Sequence, residues 1–454
     1  MTARSVVTIT SVAVYRPRPG YPVPGSLAHA TAGKLRAQRR VGLAWGLLVL
    51  NVLTFDAGGS FLPIPAAMGQ VIQQGALPLS LILALSVNRK LLVRPNIFLL
   101  LVSLLLAGAI LTSLNAADIH ETAYRTFRLA EFVVALWLLS PYWGERDMLL
   151  VRCHLKAMIV VLVSVIIGLA VSPGHAIVAG RLAGALWPIP PTQVAHYAAV
   201  TFGLVIVLWL CGRINGRVVL PISAVAGIIL LMTATRTALI GMIAGLVIAG
   251  LSLVAAEARA RKLFAFTGIA AIAVAAAFPA AITSWLARGE NLQLLTSLSG
   301  RTSFWGPLLA FPRNNFQEIF GFGLSNGSFN GNPIDSNWLI SYQEQGLFGV
   351  AVCVAILICL FVAAYFQPPG VRRALALFLV TYCLIASFTE VGFTDASTYM
   401  LDLTVAASLL VPPVISRRRT RGSKWLDRAH MPTSQLAGEN AIAADADHPN
   451  LPIP

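Results

Sequence analysis

The chain is short of charge. Only 11% of its 454 residues are Asp, Glu, Lys or Arg, 57% are hydrophobic, and the mean hydropathy is +0.76. A soluble domain carries about 25% charged residues, so this chain has too few to cover a surface in water. This shortage excludes a soluble enzyme and a disordered chain, and it predicts a protein surrounded mostly by lipid.

Several signatures of catalysis and metal binding are also missing. The five cysteines are scattered and form no CxxC pair, so the sequence indicates neither a disulfide framework nor a metal site. No GxxxxGK[ST] or HExxH motif occurs, which excludes a P-loop ATPase and disfavours zinc. No DxD pair lies in an early external loop. We therefore predict no metal and no cofactor.

Long apolar runs dominate the rest of the chain. They do not alternate with period two, which disfavours a β-barrel. Their number and length predict an all-α polytopic membrane protein with about twelve transmembrane helices of ~20 residues each. The predicted spans are 41–62, 66–87, 97–114, 127–143, 155–172, 194–211, 218–235, 237–255, 263–283, 343–366, 374–390 and 399–415.

The basic residues predict the orientation of these spans. With both termini in the cytosol, 26 of the 33 Lys and Arg residues fall on the cytosolic side, as the positive-inside rule expects. This placement between apolar runs disfavours nucleic-acid binding in spite of the net charge of +15. Residues 1–40 are then a cytosolic tail and 41–415 the transmembrane domain. Residues 416–454 are predicted to be a second, disordered cytosolic tail.

Arginines on the external side are candidate anion-binding residues, because the guanidinium fork holds a phosphate with two hydrogen bonds. Arg236 is the strongest candidate, since it joins two apolar runs with almost no loop and ionisable residues at such depth are usually functional. In the alternative interpretation, the side chain of Arg236 only extends to the lipid headgroups. The external basic residues are Arg125, Arg128, Arg181, Arg236, Arg288, Arg301 and Arg313.

The longest external segment, residues 284–342, is rich in aromatic residues, Gly and Pro. This composition predicts a compact loop with short helices on the membrane surface. Arg301 and Trp305 share a helix face there, so an anion site and simple stacking both explain the pair. Arg313 is a further candidate. Arg181, in another external loop, is either an anion ligand or a plain surface residue.

Acidic residues and one histidine complete the candidates. Asp335 lies in the external loop that enters predicted span 10 and can act on a sugar hydroxyl, although the alternative is that Asp335-Ser336 is an N-cap. Glu344 can be a buried partner for an arginine. His196 is either a hydrogen-bond donor to a substrate or a structural residue. Three further acids have no role that the sequence indicates: Glu390, Asp395 and Asp402.

Four short motifs, in order, resemble those of the O-antigen ligase and polymerase superfamily of bacterial membrane proteins. The resemblance covers roughly residues 175–365, and Asp335-Ser336 stands where that family has His-Asn. The matching residues are Arg181 to Gly184 with Pro188 to His196, Thr235-Arg236-Thr237-Ala238-Leu239, Gly300-Arg301 with Trp305 and Gly321-Phe322-Gly323, and Leu339 with Glu344 and Gly346.

The resemblance implies a helical glycosyltransferase architecture of the C type, with the long external loop between spans 9 and 10. It implies a polyprenyl-diphosphate-linked sugar donor, a glycan or glycolipid acceptor, and metal-independent transfer at the outer face of the cytoplasmic membrane. The Asp in place of the family His favours a polymerase-like member. The implied catalytic residues are Asp335, Arg236 and Arg301, with Arg181, His196, Glu344, Trp305 and Arg313 in substrate binding. A membrane transporter and an inactive envelope scaffold are the alternatives.

Overall fold

The computed structural model describes residues 25–412, except 56–60, 62–64, 115, 117, 145–146, 264, 267–276, 278–301 and 325–326. Antiparallel pairing joins β1 (Ile177–Val178) to β2 (Arg181–Leu182), and β3 (Ser328–Phe329) to β4 (Asn332–Pro333). The α-helices are α1 (Gly25–Val52), α2 (Ala66–Val87), α3 (Ile97–Ser113), α4 (Ile119–Leu139), α5 (Leu149–Val171), α6 (Pro173–Ala176), α7 (Pro191–Leu210), α8 (Gly216–Met232), α9 (Arg236–Val254), α10 (Thr302–Leu309), α11 (Asn315–Phe320), α12 (Asn337–Phe366), α13 (Val371–Ala386) and α14 (Thr398–Leu410).

Apolar helices of membrane-spanning length confirm the predicted class. Among the described residues, five helices are long and apolar enough to cross a membrane: Ala67–Val87, Leu149–Val171, Pro191–Leu210, Arg236–Val254 and Asn337–Phe366. Helices α3, α8 and α14 are shorter apolar helices. The chain is therefore an all-helical membrane protein. Predicted span 9, residues 263–283, lies almost entirely outside the described residues, and the total of twelve spans stays a prediction.

Large apolar side chains point outward from these helices. Leu79, Val160 and Ile240, on three different helices, are 54%, 68% and 52% exposed. Soluble monomers rarely expose contiguous apolar surface on this scale, whereas lipid is as apolar as leucine and tolerates it. The outer surface therefore supports the same assignment as the helix lengths.

Helices α9 and α13 pack closely through small residues. A methyl group added at Gly245 would lie 2.8 Å from a ring carbon of Phe378, and one at Gly241 would lie 3.1 Å from the ring of Tyr382. Small residues let transmembrane helices approach because dispersion contacts, rather than the hydrophobic effect, hold them together in lipid. This contact fixes α9, which begins at Arg236, against the helix that leads into the cavity described below.

Helix α12 is interrupted at Gly346, where φ is 64° and ψ is −161°. The break frees two carbonyl groups, and the preceding loop satisfies both. The amide of Phe322 donates to the carbonyl of Gln343 at 3.0 Å, and the amide of Gly323 donates to that of Glu344 at 2.9 Å. The backbones approach so closely that a side chain at Gly346 would lie 2.4 Å from the backbone of residue 319. The Gly-Phe-Gly motif thus holds the broken helix and orients Glu344.

The two ends of the helix bundle differ. Helix α1 ends at one end of the bundle, and helices α2, α4, α7, α9, α12 and α14 begin there. At the other end, Arg94 donates to the carbonyls of Trp143 and Pro412, and Arg372 donates to the carbonyl of Gly144. The end that holds Arg94 and Arg372 is the one that the charge distribution predicts to be cytosolic.

Candidate functional site

A polar cavity of about 390 Å³ opens at the end where α2, α4, α7 and α14 begin. The loop between α13 and α14 forms much of the cavity wall. Asn337, the first residue of α12, holds this loop in place. The Asn337 side-chain oxygen accepts hydrogen bonds from the amides of Gly392 and Phe393, at 3.3 and 2.8 Å. The polar residues that line the cavity include Gln70, Gln73, Arg125, Arg128, Gln193, His196, Glu390 and Asp395.

Arg125 links two carboxylates beside the cavity. One guanidinium nitrogen lies 2.7 Å from Oε1 of Glu344 and another lies 2.9 Å from Oδ2 of Asp395. Burial disfavours the charge of Arg125, but the attraction of Glu344 and Asp395 outweighs that effect and raises the pKa of Arg125. Arg125 therefore joins the broken helix α12 to the α13–α14 loop and stays charged.

Arg128 lies one helical turn further along α4 and faces the same cavity. It donates to the side-chain and backbone oxygens of Asn51 and to the carbonyl of Ala396, at 3.3 to 3.4 Å. In the part of the chain that the structure describes, no carboxylate pairs with Arg128. Its neighbours orient the guanidinium without neutralising it, so Arg128 brings a positive charge to the cavity.

Two arginines predicted from the sequence, Arg181 and Arg236, are linked through one turn. Arg181 donates to the carbonyl of Thr233 and to the hydroxyl of Thr235, both at 2.9 Å, and so holds the turn from which Arg236 begins α9. One residue further, the hydroxyl of Thr237 accepts from that of Thr389 at 2.7 Å. Thr389 precedes the cavity residue Glu390, so this contact joins the Arg181–Arg236 turn to the cavity wall.

The two predicted acids occupy different surroundings. Glu344 is fully buried against Arg125, which confirms that it is a buried partner for an arginine. Asp335 is half-buried at the entry to α12. The N-cap residue is Ser336, and no side-chain cap hydrogen bond forms there. The Asp335-Ser336 pair therefore stands at the helix start, as the capping alternative predicts, but without the side-chain hydrogen bond of a cap.

The other predicted loop residues lie away from the described cavity lining. Arg313 stacks on Tyr342, with 4.2 Å from the guanidinium carbon to the ring centroid, and donates to the side chain of Gln343 at 2.8 Å. Trp305 is half-buried on α10. Arg301 lies outside the described residues, so the convergence of three external arginines stays a prediction.

His196 lines the cavity from α7 and also reaches a polar cluster below it. Its Nε2 lies 3.0 Å from Oδ2 of Asp402, and Nε2 of His154 lies 2.7 Å from Oδ1 of the same carboxylate. All three side chains are at most 1% exposed. Among the described residues, no group of three or more His, Cys, Asp or Glu side chains is arranged to hold a metal ion.

The sequence reasoning named Arg125 and Arg128 only in the list of external arginines, assigned no role to Asp395 or Asp402, and did not consider His154. The first two carried a signal: they are arginines on the disfavoured side of the membrane, and their spacing of three residues places them on one helix face. Asp402 carried one too, because an acid inside an apolar run is a functional candidate by default. No local pattern joined it to a histidine on another helix.

The fold and the cavity define an all-helical membrane protein with a charged cavity at one end of its bundle. No protein-family model matches the chain, and a search of curated proteins finds no match. The case for a function therefore depends on the cavity and on the residues that surround it.

Proposed function

We propose that this protein transfers a glycan from a polyprenyl diphosphate to an acceptor hydroxyl at the outer face of the cytoplasmic membrane. The observation that carries the proposal is the position of Arg128, an arginine without a paired carboxylate among the described residues, in a cavity beside the Arg181–Arg236 turn. Arginine side chains bind phosphate oxygens in bidentate fashion and stabilise the charge that develops on a leaving diphosphate.

The charge of the cavity explains why more than one arginine is needed. Arg125 and Arg128 line it together with Asp395 and Glu390, so the formal charges of the lining balance. A diphosphate carries at least two negative charges and requires further positive charge nearby. Arg236 and Arg181 supply it in this proposal, with Arg301 of the external loop as a third contributor. No metal ion is needed for the transfer.

The acceptor sits, in this proposal, where Asp335 and the cavity glutamines can reach it. Gln193 and Gln73 line the cavity, and hydrogen bonds hold their side chains to residues 51–54. Each side-chain amide has a second N–H beyond these bonds, which can donate to a sugar hydroxyl. Asp335 accepts the hydrogen bond of the attacking hydroxyl and orients it. Its place in the family's His-Asn motif favours a polymerase-like enzyme over a ligase.

The membrane topology is part of the proposal. Twelve spans with both termini in the cytosol place the cavity end outside, in an architecture of the C type of glycosyltransferase. A cysteine in place of Asn332, in the exposed β3–β4 hairpin, tests this when the five native cysteines are replaced by alanine. We expect an impermeant thiol reagent to label it in intact cells. Labelling only after lysis would place the hairpin and the cavity end inside.

A binding experiment tests the diphosphate site. Purified protein should bind a polyprenyl-diphosphate sugar, and inorganic pyrophosphate should compete with it. Arg128→Gln should weaken this binding by about tenfold or more, because a hydrogen bond to a charged group contributes about 1.5–3 kcal/mol. Arg217→Gln, at an exposed arginine in the first turn of α8, is the matched control and should bind normally. Equal binding by both variants would remove Arg128 from the donor site.

A lipid-precursor transporter is the second candidate, and one observation favours it. Helix α12 is broken at Gly346 next to a polar cavity, and broken helices surround the binding sites of many transporters. Movement of a labelled lipid-linked sugar across proteoliposomes without any transfer product would favour the transporter. Formation of product without net movement of the donor would favour the enzyme.

A further inference from the structure

We propose that Asp402, His154 and His196 form a proton-binding site inside the helix bundle, open only toward the cavity, whose proton is held by His196 and is taken up more strongly when an anion occupies the cavity. The proton site stands on the geometry of these three side chains alone. Its coupling to a diphosphate rests on the proposed function.

The tautomer of His154 follows from its neighbours. The indole nitrogen of Trp45, which can only donate, lies 3.2 Å from Nδ1 of His154. Nδ1 is therefore an acceptor, and the ring proton is on Nε2, which points at Oδ1 of Asp402 from 2.7 Å. His154 is thus a neutral donor to the carboxylate, and Trp45 closes its far side.

The neighbours of His196, in contrast to those of His154, do not fix its tautomer. Its Nδ1 lies 3.3 Å from the hydroxyl of Tyr382, a group that can donate or accept. Its Nε2 lies 3.0 Å from Oδ2 of Asp402, at ion-pair distance but without the alignment of a formed hydrogen bond. Both nitrogens of a protonated His196 therefore face oxygen atoms that can accept, and a small rotation of the ring completes the contact with Asp402.

Electrostatics favours the protonated form. An ionised Asp402 with two neutral histidines leaves one negative charge in the bundle, and isolating a buried ion costs several kcal/mol. Among the described residues, no lysine or arginine pairs with Asp402. One added proton on His196 makes the cluster neutral overall. The phenols of Tyr197, Tyr382 and Tyr399 and the thiol of Cys383 surround the cluster. The charged groups that line the cavity together with His196 are Arg125, Arg128, Glu390 and Asp395.

The cavity is the route by which this proton exchanges. His196 and Tyr399 both line it, and the two rings lie 4.5 Å apart, edge to face. An anion in the cavity lies on the same side as His196 and favours its charged form. Because linkage is reciprocal, protonation of His196 favours binding of the anion by the same factor. The proton adds one more positive charge for a diphosphate beside those that Arg181 and Arg236 supply in the proposed function.

Nitrogen NMR of the full-length protein, labelled with ¹⁵N-histidine in lipid nanodiscs, tests the proton site. Imidazole nitrogen shifts separate the two neutral tautomers from the imidazolium. We expect one signal of a neutral, Nε2-protonated ring from His154, and one imidazolium at pH 7 that is absent in His196→Gln. His175→Gln, at an exposed histidine, is the matched control. A neutral His196 from pH 5 to pH 9 would overturn the proposal.

Two further experiments complete the test: one identifies the His196 signal and the other measures its coupling to an anion. Tyr382→Phe removes only a hydroxyl and should change the shift of the His196 signal while leaving that of His154, which identifies the ring even if His196→Gln does not fold. Added pyrophosphate should increase the imidazolium fraction of His196 at a fixed pH. Bound pyrophosphate without that increase would refute the coupling. Absence of pyrophosphate binding would count against the proposed diphosphate site, and the pH series would still decide the proton site.

Discussion

Replacement of Arg125 by glutamine should destabilise this protein more than any exposed arginine replacement. Arg125 is the cation between Glu344, whose side chain is 1% exposed, and Asp395, whose side chain is 18% exposed. Removal of one partner from a buried ion pair costs about 3–5 kcal/mol, because the attraction between the two charges is lost while the remaining charge stays buried. The same change also releases the α13–α14 loop from α12, so the cavity wall should loosen.

Thermal unfolding of the purified protein in detergent measures this effect. Cys353 and Cys383 are fully buried, so a thiol-reactive fluorophore reports their exposure as the bundle opens. Arg125→Gln should show a markedly lower melting temperature. The matched control is Arg152→Gln, because Arg152 is 54% exposed and lies 3.8 Å from Asp147, and surface pairs contribute about 0–1 kcal/mol.

A double variant separates lost charge pairing from other effects. Arg125→Gln combined with Glu344→Gln should melt at a higher temperature than Arg125→Gln alone, because the buried carboxylate that lost its contact with Arg125 is also removed. If Arg125→Gln melted like the Arg152→Gln control, the buried ion-pair bridge would not be a structural element of the cavity. If the double variant melted lower than either single variant, the reasoning about Glu344 would be wrong.

Three other predictions follow from the same geometry. Gly245→Ala should lower stability by about 1–3 kcal/mol through overpacking, whereas Gly75→Ala, with open space at its Cβ, should not; equal melting would refute close α9–α13 packing. Asp335→Asn should lower transfer at least about tenfold with normal expression, and full activity would return Asp335 to a structural role. Arg181→Gln should lower donor affinity through the displaced Arg236 turn, and unchanged affinity would separate that turn from the site.

The sequence was sufficient for the class of fold and for most helix positions. Apolar length alone located α2, α3 and α7 to within a few residues, because the hydrocarbon core dictates how long a spanning helix must be. It did not locate the break in α12. A single glycine rarely ends an apolar run, and only the approach of the Gly321–Gly323 loop shows that Gly346 cannot carry a side chain.

The candidate site was predictable only in part. Arg181 and Arg236 were identified individually, and the structure places Arg181 against the turn that leads to Arg236. The contact between His196 and Asp402 joins two helices that lie far apart in the sequence, and no local spacing encodes such a contact. Arg125 carried the same sequence signal as Arg236. Its importance depends on carboxylates contributed by two other segments.

Transfer by purified protein tests the central claim most directly. Wild-type protein in proteoliposomes, supplied with a polyprenyl-diphosphate glycan and a matching acceptor in the presence of a metal chelator, should form the extended glycan and release the polyprenyl diphosphate. Arg128→Gln and Arg236→Lys should both lose most of this activity, while Arg217→Gln should keep it. Absence of product from folded wild-type protein with donor bound, or full activity in Arg128→Gln and Arg236→Lys, would contradict the account.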